Sequence, residues 1–167
     1  MTPGKTGNAV KTGHRHQARE TALQILYQWE VGKLPPEDAA AGRWQIEDEG
    51  EPLPEPARRF AESLALGTSA HVAQLDALIE QHAQHWRLER MAVVDRLILR
   101  LAVFEFLHMR DTPRTVVIDE AIELARTFSE QDAVRFVNGV LDAVHHALQP
   151  GAAGAGPGPD PDPDVTT

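Results

Sequence analysis

The chain has no cysteine, so disulfides, thiolate metal sites and a cysteine nucleophile are excluded. It also lacks any apolar run near the roughly 20 residues that a membrane span needs, and its first residues lack the apolar core of a signal peptide. Aromatic residues are only 5% of the sequence, yet 42% of the 167 residues are hydrophobic, which is enough to bury one core. We therefore expect a single cytoplasmic domain with no membrane segment.

Acidic residues are absent from the first 19 positions, although the whole chain carries a net charge of −9. This N-terminal segment has four basic side chains and a charge of +4, so the remaining 148 residues carry −13. The overall charge argues against a protein that coats nucleic acid along its whole surface, whereas the basic segment suits a local contact with nucleic acid or an acidic partner. A solubilising tail explains the same pattern equally well.

Strand-like alternation is missing too, and apolar residues recur instead at three- and four-residue spacing. Helices are predicted over residues 15–31, 36–44, 57–85, 91–109, 113–128 and 129–148. Gly32 is predicted to cap the first helix, Gly67 to kink or break the third, and Ser129 to begin a capping box that ends at Asp132. Phe128 continues an apolar stripe and is predicted to be buried. The pattern indicates an all-α fold, a compact single-domain bundle of five to seven helices.

Both ends of the chain are predicted to lie outside this bundle. Residues 1–14 form a flexible basic arm, residues 15–148 the helical domain, and residues 149–167 a disordered tail rich in proline, glycine and aspartate. The tail contains too little apolar surface to fold by itself.

Sequence motifs of catalysis are missing, including phosphate-binding glycine loops, the zincin motif and the nucleophile elbow. His82 and His85 are spaced to share a helix face, but no further ligand stands at helical spacing, so solvated histidines are favoured over a metal site. The carboxylates at positions 119–123 are expected to form a solvated face with i,i+3 ion pairs to nearby arginines. We predict no enzymatic activity, no cofactor and no metal.

Three collinear blocks carry a more specific signal. Residues 18–29 read ARETALQILYQW, residues 94–105 read VDRLILRLAVFE, and residues 118–142 read IDEAIELARTFSEQDAVRFVNGVLD. Together they closely resemble the NusB family of transcription antitermination factors. The resemblance spans Arg15 to Leu148, apart from the proline-rich segment at 33–56.

The resemblance implies an all-helical protein that pairs with NusE, a small-subunit ribosomal protein, to bind the single-stranded boxA element of nascent ribosomal RNA leaders. That pair would join RNA polymerase and other Nus factors and oppose premature termination. The implied RNA contacts are Lys11, Arg15, His16, Arg19, Tyr27, Arg135, Phe136 and Asn138. The implied partner contacts are Glu89, Asp95, Arg100 and Asp132.

Several of these positions allow a second interpretation. The family typically has a run of arginines where this chain reads HRHQAR at 14–19, which predicts weaker and more pH-sensitive RNA binding. Phe136 could be a core residue, Asp132 could act as a helix cap, and Gly139 is expected to permit a close helix crossing. At the level of function, the alternative is a helical scaffold or a homodimer without direct RNA binding.

Overall fold

The computed structural model describes residues 6–46, 50–83 and 87–150, with side chains from residue 13 onward. Within these residues the chain forms seven α-helices, one 3-10 turn at Leu88–Arg90 and no strand. The helices are α1 (Thr6–Glu30), α2 (Pro36–Gln45), α3 (Glu55–Ala70), α4 (Val72–His82), α5 (Val93–His108), α6 (Arg114–Phe128) and α7 (Gln131–Ala147). The predicted all-α bundle is confirmed. Residues 1–5 of the predicted arm and 151–167 of the predicted tail lie outside the described residues.

Helix α5 forms the centre of the bundle and contacts α1, α3, α4, α6 and α7. All ten residues from Leu97 to Phe106 are buried, which is expected for a helix that is surrounded on every side. Two of the ten, Arg100 and Glu105, are charged, and both form ion pairs with neighbouring helices. The five helices that contact α5 pack apolar side chains against it, whereas α2 packs on α1 and α3.

The long helix predicted over residues 57–85 is indeed broken, but the break falls at His71 rather than Gly67. Gly67 remains helical, and a Cβ added there would lie 2.1 Å from Cζ of Phe104. Gly67 therefore allows α3 to approach α5 closely. The expectation that Gly139 permits a close helix crossing is wrong, because no atom of a neighbouring helix in the described part of the chain lies within 4 Å of a Cβ built at that position.

Two predicted helix caps also differ from the structure. The left-handed residue after α1 is Lys33, with φ of 56°, and Gly32 is instead placed where a Cβ would lie 2.6 Å from the Gln28 carbonyl oxygen. The prediction of a capping box is wrong, since α7 begins at Gln131 and its N-cap Glu130 makes no side-chain cap bond. The Ser129 hydroxyl is buried and has no hydrogen-bond partner in the described part of the chain.

Candidate functional site

A shallow cavity of about 480 Å³ opens where the C-terminal half of α1, the start of α5 and the α6–α7 turn meet. We call it the aromatic–acidic groove. Its walls include Tyr27, Asp95, Phe128, Asp132 and Phe136. Asp132 and Phe136 are four residues apart on α7, so both project from the same face of that helix.

The groove is acidic overall. Asp95, Glu130 and Asp132 line it, against a single basic residue, Arg90. Two oxygens of its lining residues, Oδ1 of Asp95 and Oγ of Ser129, are buried and have no hydrogen-bond partner among the described residues. Neither oxygen is accessible from the groove, so the exposed carboxylates of Glu130 and Asp132 determine which ligands it suits. The groove is therefore suited to a ligand with basic or amide donors.

Four residues from the two predicted contact sets meet in this groove. Tyr27 and Phe136 come from the predicted RNA contacts, and Asp95 and Asp132 from the predicted partner contacts. The Tyr27 side chain is 42% exposed, while Phe136 is half-buried and packs against the edge of the core. One surface thus presents both aromatic faces and carboxylates.

Phe128 is a groove residue that the sequence prediction missed. It was expected to be buried, but it is 40% exposed and lines the groove beside Tyr27. Phe128 is the last residue of α6, where the apolar stripe extends past the core that covers Ala125. Its position immediately before the α6–α7 turn is the only sequence signal that could have indicated exposure.

The remaining predicted residues of α7 and the 3-10 turn lie around the groove without lining it. Arg135 and Asn138 are exposed on α7, and Glu89 is exposed on the 3-10 turn next to Arg90. These side chains are accessible to a ligand that extends beyond the groove.

A second group of predicted residues lies in the N-terminal half of α1. The Arg15 guanidinium is 4.7 Å from the centre of the Phe60 ring and donates to Oγ1 of Thr112 at 3.4 Å. Arg15 and Tyr27 are twelve residues apart on one helix, so they are separated by about 18 Å along its axis. The Lys11 side chain lies outside the part of the chain whose side chains are described.

His16, the residue after Arg15, joins α1 to α6. Its Nδ1 is 2.6 Å from Oε2 of Glu120, and its Nε2 is 2.9 Å from Oε1 of Glu20. The hydrogen bond to Glu120 raises the pKa of His16, opposed by partial burial and helped by the charges of both carboxylates. Only the protonated ring can donate from both nitrogens, so the geometry is that of an imidazolium held between two carboxylates.

Arg19 was predicted to contact RNA and Arg100 to contact the partner, but both are buried. Arg19 is 3% exposed and donates through Nε and Nη2 to the Glu105 carboxylate at 2.9 and 2.8 Å. Arg100 is 6% exposed and makes the same kind of paired contact with Asp76, at 2.7 and 2.8 Å. These guanidinium groups connect helices within the bundle, so in this structure Arg19 does not face RNA and Arg100 does not face a partner.

Glu30 extends the Arg100 network. Its carboxylate lies 2.9 Å from Nη2 of Arg96 and 3.6 Å from Nη1 of Arg100, so the end of α1 is joined to α5. Arg96 also donates to the Leu88 carbonyl at 3.1 Å, and this bond holds the 3-10 turn that carries Glu89. The network therefore orients the segment around the groove rather than contacting a ligand directly.

Metal-ligand groupings and membrane-spanning helices are both absent among the described residues. Among the described residues, no three histidine, aspartate or glutamate side chains are grouped to hold a metal ion. His82 donates from Nδ1 to the Leu78 carbonyl at 2.9 Å, and His85 lies outside the described residues. No helix in the described part of the chain has the length and apolarity to cross a membrane.

Taken together, the fold and the two surfaces define an all-helical binding domain, with an acidic, aromatic groove near the C-terminal end of α1 and a cationic region around Arg15 in its N-terminal half. Residues 16–146 match the model of the NusB family. The transcription antitermination protein NusB of Solibacter usitatus is 48% identical over 140 residues, which cover 83% of this chain and 93% of that protein. The NusB of Symbiobacterium thermophilum is 46% identical, covering 84% and 94%. The chain belongs to the NusB family.

Solved structures agree with this assignment. The T. maritima NusB structure superposes with a TM-score of 0.72 at 30% identity, covering 83% of this chain and 94% of that one. A structure of the antitermination factors NusB and NusE in complex with double-stranded RNA gives a TM-score of 0.70 at 27% identity, covering 81% and 98%.

Proposed function

We propose that this protein is a transcription antitermination factor that binds boxA-type RNA in nascent ribosomal RNA leaders as a heterodimer with the ribosomal protein NusE. In this role it acts in the cytoplasm, joins RNA polymerase and other Nus factors, and opposes premature termination. The role is one of binding and carries no catalytic step. The observation that carries the proposal is the aromatic–acidic groove, where residues implied for RNA and residues implied for the partner lie side by side.

The acidic wall of the groove supports a protein partner. A ribosomal protein is expected to be basic, and complementary charge accelerates and orients its association. An arginine or lysine from that partner would pair with the exposed carboxylates of Glu130 and Asp132. Asp132 lies at the exposed rim of the same groove and would meet the partner first.

The aromatic wall of the groove and the cationic region around Arg15 support the proposal that the protein binds RNA. Unpaired bases stack on exposed aromatic rings such as Tyr27 and Phe128, and such stacking stabilises binding by roughly 1–3 kcal/mol per base. Phosphates would be repelled by the uncovered carboxylates of the groove. We infer that a basic partner seated over Asp95 and Asp132 neutralises them, so that the heterodimer binds RNA more tightly than the chain alone.

A gel-shift titration tests this function. The assay uses a boxA RNA with the chain alone, with NusE alone and with both proteins at low salt, where phosphate contacts are strongest. We expect the ternary shift to appear at a lower protein concentration than either binary shift. Absence of a ternary shift at low salt would overturn the proposal.

Substitutions in the groove test the partner site separately. Asp95→Asn and Asp132→Asn remove one negative charge each, and each is expected to weaken NusE binding about tenfold, measured by calorimetry. Asp119→Asn is the matched control, because Asp119 is exposed on α6 and does not line the groove. If all three variants bind NusE like the parent chain, the groove is not the partner site. A lowered melting temperature with unchanged affinity would leave Asp132 with a purely structural role at the start of α7.

The alternative function is a helical scaffold or homodimer without direct RNA binding. A homodimer that covered Tyr27 and Phe128 would hide the same groove. Light scattering of the chain with and without NusE separates these two states, because heterodimer formation would then require dissociation of the homodimer.

A further inference from the structure

A second cavity, of about 470 Å³, lies between the α5–α6 turn and Arg15 in the N-terminal half of α1. Its walls include Arg15, Phe60, His108, Arg110, Asp111 and Thr112. Only Arg15 belongs to the contact residues implied by the family resemblance. The other walls come from α3 and from the end of α5 and the following turn, outside the three blocks that carry the resemblance.

Arg15 is held in place at this cavity rather than extending freely into solvent. Its guanidinium is stacked 4.7 Å from the centre of the Phe60 ring, and its Nη1 donates to the Thr112 hydroxyl. The side chain remains exposed. A planar guanidinium fixed on an aromatic ring can extend the stack to a nucleobase, and it loses less conformational entropy on binding than a free side chain.

Arg110 supplies a second cation in the same cavity. It is exposed and forms no ion pair with any residue in the described part of the chain. Asp111 also lines the cavity and offsets one of the two positive charges. His108 has a lowered pKa, because burial disfavours its charged form and because His71 and Arg110 add like charge. It is therefore neutral near pH 7 and can donate or accept a hydrogen bond at a base edge.

We propose that this cavity is a nucleotide subsite that binds one residue of the RNA strand beyond the groove, with the base stacked on Arg15 and the phosphate bound by Arg110. The inference rests on the proposed function, since it assumes that the chain binds RNA. It adds α3 and the α5–α6 turn to the RNA-binding surface. Arg15 and Tyr27 are separated by about 18 Å along α1. One short RNA could therefore reach both regions.

Fluorescence anisotropy of the full-length chain with NusE and a fluorescein-labelled boxA RNA, extended by uridines at both ends, tests the subsite. Arg110→Ala removes one phosphate contact. For a single strand the logarithm of the association constant falls with the logarithm of the salt concentration by about 0.7 per contact, so the loss at 0.1 M salt is about fivefold. The slope of that plot should also become shallower by about 0.7.

Arg59→Ala is the matched control, because Arg59 is an exposed arginine of α3 that does not line the cavity. It lowers the net charge by the same amount and should change affinity by less than about twofold. Phe60→Leu keeps an apolar side chain but removes the ring under Arg15, and it is expected to weaken RNA binding while Arg110 is intact. Its melting temperature must be measured alongside, because Phe60 also packs against the core.

The outcomes separate this inference from the proposed function. If the parent chain with NusE shifts boxA RNA but Arg110→Ala and Arg59→Ala lose affinity equally, the effect is general electrostatics and the subsite is refuted. Equal affinity of Arg110→Ala and the parent chain refutes it as well. If the parent heterodimer fails to bind boxA RNA at all, the proposed function itself is refuted.

Discussion

The buried ion pair between Arg19 and Glu105 leads to the most direct test of the structure. Both side chains are almost completely buried, with exposures of 4% and 2%, and two hydrogen bonds join them. Arg19→Ala would leave the Glu105 carboxylate buried without its partner. Removing one member of a buried pair is unfavourable by about 3–5 kcal/mol, which is a large part of the 5–15 kcal/mol that stabilises a typical domain.

Urea denaturation followed by circular dichroism measures this loss as a change in the free energy of unfolding. For a domain of this size, about 3–5 kcal/mol corresponds to a fall in melting temperature of roughly 10 °C. The double variant Arg19→Met with Glu105→Leu replaces both charges by apolar groups and should recover most of the stability. Arg126→Ala is the control, because the pair of Arg126 with Glu123 is exposed and contributes less than about 1 kcal/mol.

The opposite result would contradict the structural role of this pair. If Arg19→Ala changes the free energy of unfolding by less than about 1 kcal/mol and abolishes RNA binding, then Arg19 is a ligand contact and its buried position does not persist in solution. If both stability and RNA binding fall, the double variant decides between the two roles. It restores the fold without restoring the charge, so a return of RNA binding assigns the loss to misfolding.

The remaining predictions concern two glycines and one histidine. Gly67→Ala should destabilise the fold by about 1–3 kcal/mol in urea titrations, because the new methyl group would meet the buried Phe104 ring, and Phe104→Leu in the same chain should recover part of the loss. Gly139→Ala fills open space on a helix and should stabilise by about 0.5–1 kcal/mol; equal effects of the two alanines would contradict the close approach at Gly67. The pKa of His16 is raised in the folded state, so its contact with Glu120 stabilises below the unfolded pKa of about 6.5 and is lost as pH rises through the folded pKa. His16→Gln should remove that part of the pH dependence, and identical urea midpoints of the two chains at every pH would refute it.

Local patterns predicted most of the helical elements. The three- and four-residue spacing of apolar residues predicted five helical segments, one of which covers both α3 and α4, and Pro113 correctly placed the start of α6 next to Arg114. Such patterns depend only on neighbours within one or two turns. The caps were less predictable, because Ser129 has the residue type of a cap while the backbone starts α7 two residues later.

The site was less predictable than the fold, because its contacts join residues that are far apart in sequence. Arg15 and Arg19 are one helical turn apart, and both guanidinium groups lie over the Phe60 ring, at 4.7 and 5.3 Å. Their environments nevertheless differ, since Arg19 reaches the buried Glu105 and Arg15 remains at the exposed rim. Both residues carry the same charge, so only the depth of each position below the surface distinguishes the structural Arg19 from Arg15, which stays accessible to a ligand.

The same reasoning explains why the family blocks contribute to both core and groove. Each block supplies at least one groove residue, with Tyr27 from the first, Asp95 from the second and Phe128 and Asp132 from the third. The buried stripes of those helices fix the distances between these residues, because α1, α6 and α7 all pack on α5. Distances set by the core therefore bring aromatic side chains and carboxylates from three separate sequence blocks to one surface. A partner or RNA strand that binds there as proposed would lose less free energy to ordering the site than one that binds a flexible segment.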